Sequence, residues 1–121
     1  MTLLVSQPYK IPFPTRSGID FLAWGDILYA RSDGNYTRVT TIYNKVLLVS
    51  LMISQLETIL PRQCFIRIHH QYVVNIQHLI RYEKGDGGHV VMTDQVSLPV
   101  SRDRRKGFLE RVMGGRKGDG R

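Results

Sequence analysis

Two histidines stand side by side at the centre of FIRIHHQYVVN, residues 65–75. Imidazoles placed like this could ligate a metal, work as acid–base groups, pack as structural hydrogen-bonding groups, or donate to a partner's surface. The flanks are strand-like, and successive side chains of a strand point to opposite faces, so His69 and His70 cannot both turn toward one ion without a sharp bend. His78 and His89 fall on other expected strands, and the single cysteine, Cys64, offers no Cys-x-x-Cys to complete a tetrahedral site. No metal site and no cofactor is expected. The chain also carries no GxSxG elbow, HExxH pair or GxxxxGKS phosphate loop, so nothing points to an enzyme.

Alternation separates the two histidines. Ile66, Ile68, Tyr72, Val74 and Ile76 share one parity with His70 as the polar interruption, while Phe65, Arg67, His69, Gln71 and Asn75 populate the other. The pattern predicts a break at HHQ: a strand ends, a short loop exposes His70 and Gln71, and a new strand starts at Tyr72. His69 is expected to be a structural histidine near the core.

The elements that would hold this loop are short strands. GIDFLAW and ILYARS alternate, SDGN supplies residues that tolerate positive φ, and YTRVTTIY is rich in β-branched and aromatic residues. A turn at Asn44 and Lys45 leads to VLLVS. A helix then follows, with Ser50 as N-cap, Met52, Leu56, Ile59 and Leu60 at helical spacing, and Pro61 as its stop. Further strands lie at FIRIH, QYVVNI, HLIRYEKG, HVVMT and VSLPVS, the last two joined by a corner at Asp94 and Gln95. A second helix is expected from Ser101 to Gly114, with Phe108, Leu109 and Val112 on one side and Gly107 weakening its interior. Strands joined by Gly and Asp turns predict a mainly β fold, a stack of antiparallel sheets with one or two short helices.

The chain has 121 residues and a net charge of +7, the scale of one domain with a polyanionic partner. The basicity is uneven: residues 101–121 carry +5 and residues 1–100 only +2, so a solubilising tail competes with a binding role as its explanation. Val46–Leu56 is a charge-free run of eleven residues, well short of the roughly 20 needed to span a bilayer. No membrane partner is expected. The N-terminus lacks the plan of a secretory signal, and a lone cysteine suits a reducing compartment, so the expected location is cytoplasmic.

ILYARSDGNYTRVTT, a short amphipathic helix, FIRIHHQYVVNIQHLIRY and VSLPVSRDRRKGFL together resemble the LytTR DNA-binding domain of bacterial transcription regulators. The likeness is strongest in Phe65, Arg67, His69, Tyr72, Val74 and Asn75 in order, and in the Ser101–Arg102 pair after a strand. It implies residues 1–17 as an N-terminal extension, 18–113 as the domain, and 114–121 as a flexible basic tail. It also implies an elongated stack of sheets whose loops, rather than a recognition helix, carry side chains into successive major grooves. The implied DNA-binding residues are Asn35, Thr37 and Arg38 in the SDGNYTR turn, His70 and Gln71 in the HHQ loop, and Arg102, Arg104, Arg105 and Lys106 in SRDRRK.

Arg102 has the planar fork that suits guanine O6 and N7, whereas the next three cations suit phosphates. Tyr36 is expected in the core, and His69, Tyr72 and Asn75 are structural. The expected partner is double-stranded DNA, with protomers pairing on DNA direct repeats. Family members commonly attach the domain to a receiver or sensory module, whereas about 17 residues precede it here; a sensory or regulatory protein is also among the expected partners. The competing readings are an RNA-binding domain, which usually exposes aromatic rings for stacking, and a protein-interaction β module. Tyr29, Tyr43, Phe65 and Tyr72 sit in apolar alternation and are expected to be buried, which favours duplex DNA.

Overall fold

The computed structural model describes residues 10–114. β1 (Lys10–Thr15) and β2 (Gly18–Ala23) form a hairpin. A five-stranded sheet follows, built from β3 (Ile27–Asp33), β4 (Tyr36–Thr41), β5 (Val46–Val49), β6 (Phe65–His69) and β7 (Tyr72–Asn75) in the order β5-β4-β3-β7-β6. β8 (Leu79–Glu83), β9 (His89–Met92) and β10 (Ser97–Pro99) make a three-stranded sheet. Every pairing is antiparallel. Helix α1 (Ile53–Ile59) connects β5 to β6, and α2 (Arg102–Val112) follows β10. The expected stack of antiparallel sheets with two short helices is therefore what the chain forms. Among the described residues no helix is long and apolar enough to cross a membrane.

One face of the central sheet is covered throughout, and the other only over β6, β7 and part of β3; those strands are apolar at both parities, whereas Tyr36, Arg38, Val46 and Leu48 of β4 and β5 stay exposed. Ala30, Val39, Phe65 and Val73 face a core shared with Ile53, Leu56 and Leu60 of the α1 region. Ile68 and Val74 face a second core with Val90, Met92, Leu98 and Phe108. Each of these side chains other than Ala30 contributes on the order of 1.5–3 kcal/mol by leaving water.

Turn chemistry sets the registers. Gly34 takes φ +63° between β3 and β4, and Asn44 and Gln95 take φ +61° and +70° at the two other turns read from the sequence. Asn75 is fully buried. Its Nδ2 donates to the carbonyls of Trp24 (3.1 Å) and Ile27 (2.8 Å), and its Oδ1 accepts the Gln77 amide (3.0 Å), joining the end of β7 to the start of β3. Tyr29 Oη donates to Asp94 Oδ2 at 3.0 Å, linking the central sheet to the β9–β10 turn. Burial, and then Asp94, push its phenol up to about 12.

Two boundaries depart from the sequence reading. β1 lies before residue 18, yet Ile11 and Phe13 belong to the first core. The Ser50 amide donates to the Pro14 carbonyl (2.8 Å), holding Ser50 against β1, and α1 begins three residues later with Met52 as its N-cap. Of the apolar residues assigned to that helix, Leu56 and Leu60 are buried, while Met52 and Ile59 are exposed.

Helix α2 begins after Ser101 and is followed by Gly114 at φ +65°, as its sequence signals suggest. Phe108 anchors it in the second core, with the Tyr82 ring 5.9 Å away. Gly88 sits directly beneath Tyr82 at φ +100°, and its carbonyl accepts the Val100 amide at 3.0 Å.

Candidate nucleic-acid interface

The registers bring three polar segments to one end of the central sheet. Asp33 pairs with Tyr36, so Gly34 and Asn35 cap the β3–β4 hairpin. Arg31 pairs with Tyr72, and the Ser32 amide donates to the Gln71 carbonyl (2.9 Å), which sets the His70–Gln71 turn beside that cap. The Ser101 amide donates to the Ile68 carbonyl (2.9 Å), so α2 starts next to the same turn. Neighbouring strands lie about 4.8 Å apart, which puts the two hairpin caps about 10 Å apart. That is close to the roughly 12 Å width of a major groove in B-form DNA.

At the β3–β4 cap, Asn35 is exposed and its side chain makes no hydrogen bond within the described residues. Arg38 Nε lies 2.8 Å from Asp33 Oδ2 in an ion pair about half exposed on both sides. Such pairs hold a turn weakly, at about 0–1 kcal/mol. Thr37 is a correction to the sequence reading, because it is fully buried and its hydroxyl donates to the Leu51 carbonyl at 2.8 Å. Tyr36 is another: expected in the core, it is 38% exposed. Both follow from one parity. The two-residue turn makes Tyr36 and Arg38 point out while Thr37 and Val39 point in. Tyr43, also expected to be buried, is exposed in the β4–β5 turn and donates to Asp26 Oδ2 (3.1 Å), a bond that raises its pKa.

At the β6–β7 turn the break falls where the alternation placed it, with His70 and Gln71 exposed and β7 starting at Tyr72. His69 is half-buried, and its Nδ1 accepts the Gln71 amide at 3.1 Å. Its ring stacks on His70 at 4.5 Å and tilts against half-buried Tyr72 at 5.6 Å. Burial, followed by the charges of His70, Arg104 and Arg67, holds the imidazole below its ordinary value of 6.5. A neutral ring keeps the Nδ1 lone pair that the Gln71 amide needs.

Arg67, quoted in the sequence motif but given no role there, is well enclosed, with a side chain only 13% exposed. Its Nε donates to the His69 carbonyl (2.9 Å), one terminal nitrogen to the His70 carbonyl (2.7 Å), and the other to Glu57 of α1 (2.8 Å). The signal in the sequence was a charge in mid-strand, on the same parity as Phe65, where an unpaired cation would not be tolerated.

At the third segment, Arg102, Arg104 and Lys106 are exposed. The side chains of Arg102 and Lys106 make no hydrogen bond or ion pair within the described residues, and Arg104 lies near enough to influence His69. Arg105 differs from the expectation of a phosphate contact. It is half-buried and its guanidinium donates to the Gly87 carbonyl, because this helical position faces the β8–β9 loop. The cations Arg116, Lys117 and Arg121 of the basic tail lie outside the described residues.

The model of the LytTr DNA-binding domain family matches residues 17–113. Two similar proteins are the heme-containing CO-sensing transcriptional regulator RcoM 1 of Paraburkholderia xenovorans and the CO-responsive transcriptional regulator RcoM of Rhodospirillum rubrum. The first is 31% identical over 79% of this chain and 37% of that protein, the second 27% identical over 77% and 40%. The chain thus spans about two fifths of the length of these relatives. A LytTr DNA-binding domain from Bacillus cereus has the same fold, with a TM-score of 0.75 and 18% identity over 88% of this chain and 98% of that one.

Proposed function

Since the chain belongs to the family of LytTr DNA-binding domains, we propose that it serves a transcription regulator by recognising a preferred duplex sequence. The observation that carries this reading is the gathering of the Asn35, His70 and Arg102 segments at one end of a sheet anchored in both cores. A rigid sheet presents the loop side chains without their having to be ordered on binding, which lowers the entropy cost of recognition.

Arg104, Lys106 and Arg38 hold backbone phosphates and supply most of the salt-dependent attraction. Arg102 reads a guanine through its fork, His70 and Gln71 donate to base edges, and Asn35 offers its amide to a base or a phosphate. With their caps about 10 Å apart, the two hairpin turns enter one major groove of an operator together, and successive grooves are reached by protomers on neighbouring repeats. Protomers meet on direct repeats of DNA, and a sensory or regulatory partner protein sets occupancy in the cytoplasm.

Selection from a pool of random duplexes tests the reading directly. The expected result is an enriched motif whose duplex outcompetes random duplex, single-stranded DNA and RNA at two salt concentrations. A stronger hold on RNA or single strands, or no enriched motif at all, would reject it.

A further inference from the structure

We infer that Arg67 is the positioning residue of the β6–β7 reading turn, and that it sets the presentation of His70 and Gln71 from beneath without touching DNA. The register of β6 against β7 slips between Arg67 and His69, so the turn is not held by an unbroken ladder. In place of the missing regularity stands one guanidinium. Its Nε and a terminal nitrogen donate to the consecutive carbonyls of His69 and His70 at 2.9 and 2.7 Å, fixing both peptide planes that orient the two imidazoles. The remaining terminal nitrogen meets Glu57 Oε1 at 2.8 Å, which ties the turn to α1 on the covered face of the sheet.

Three directed donors on a planar fork are what arginine has and lysine lacks. The Arg67 side chain is only 13% exposed, so these bonds form in a medium where they are stronger than in water and where leaving any of them unmade is expensive. Reading a base edge requires the contacting group to be held within about 0.5 Å of its productive position. A clamp on both carbonyls of the turn supplies that constraint. The Gln71 amide bond to His69 Nδ1 and the Ser32 amide bond to the Gln71 carbonyl complete it from the other side.

The inference rests on the DNA-reading role proposed above, and its test separates the two. In Arg67→Lys the charge stays but the fork is lost. Affinity for the selected duplex should fall about tenfold while affinity for random duplex stays within about twofold. In the DNA-free protein, the amides of His70 and Gln71 should gain fast mobility by 15N relaxation while those of Gly34 and Asn35 do not. Full retention of selectivity by the lysine variant, equal losses on both duplexes, or an unchanged turn by relaxation would overturn the inference. If Arg67→Lys does not fold, Glu57→Ala, made on the more exposed partner, should give the same pattern at about threefold; no change there would likewise reject the clamp. If the unaltered protein prefers no duplex, the reading role fails, and the relaxation measurement still decides whether Arg67 holds the turn.

Discussion

The two hairpin turns at the sheet end proposed to meet DNA are neighbours with similar chemistry and different support. The β6–β7 turn is gripped by the Arg67 guanidinium, by the Gln71 amide on His69, and by backbone bonds from Ser32 and Ser101 to the strands and turn. The β3–β4 turn is steadied at its base by the Thr37 hydroxyl on the Leu51 carbonyl and by the Ser32 amide on Gln71, but at the turn itself the described residues supply only the exposed Asp33–Arg38 pair. Preorganisation is thus concentrated in one turn. A braced turn suits discrimination between bases, because a misplaced base edge cannot be met by adjustment; a loose one suits contact with a backbone that is the same at every step.

Substitutions can break or sharpen that contrast. The largest expected effect is for Arg102→Ala, beside the braced turn, which should lose about 1–3 kcal/mol on a selected duplex and little on random duplex. Equal losses would move Arg102 to phosphate duty. His70→Ala should follow at about 1 kcal/mol, again confined to the selected duplex. Lys106→Ala should weaken all duplexes alike and make the plot of log affinity against log salt shallower by about 0.9. An unchanged slope would remove Lys106 from the interface. Smallest of all, Asp33→Ala should change stability by less than about 0.5 kcal/mol and leave selectivity intact. A large loss of selectivity there would erase the distinction between the turns.

Acid should also act on the braced turn. The folded protein holds His69 below 6.5, so the unfolded chain takes up the proton more readily. This contribution to stability is complete above the unfolded value and is lost as pH falls through the lower folded one. Urea midpoints measured at about pH 7.5 and 5.5 should differ less in His69→Gln than in the unaltered protein. The same pH dependence in both would assign the effect elsewhere.

Much of this architecture was legible because strands, turns and helix ends are local. SDGN, Asn44–Lys45 and Asp94–Gln95 marked true turns, and the polar interruption at His70 located the break between β6 and β7. What escaped was tertiary. Nothing near Thr37 announces that the Leu51 carbonyl will take its hydroxyl, nor near Arg105 that Gly87 will take its guanidinium. Tyr36 and Thr37 exchanged places because a hairpin's parity depends on where its two-residue turn begins, and a shift of one residue inverts every assignment along the strand. β1 precedes the stretch that carries the family likeness, and its Pro12 and Pro14 are admissible in a strand at a sheet margin.

A β-carbon on Gly88 would fall 2.5 Å from Tyr82 Oη. The phenol ring would have to swing aside, and Phe108, which it leans on, is the root of the helix that begins with Arg102. The absence of a single methyl group beneath that ring therefore keeps the helix in its seat. A screen for lost operator recognition should recover Gly88→Ala alongside changes in the fingers themselves.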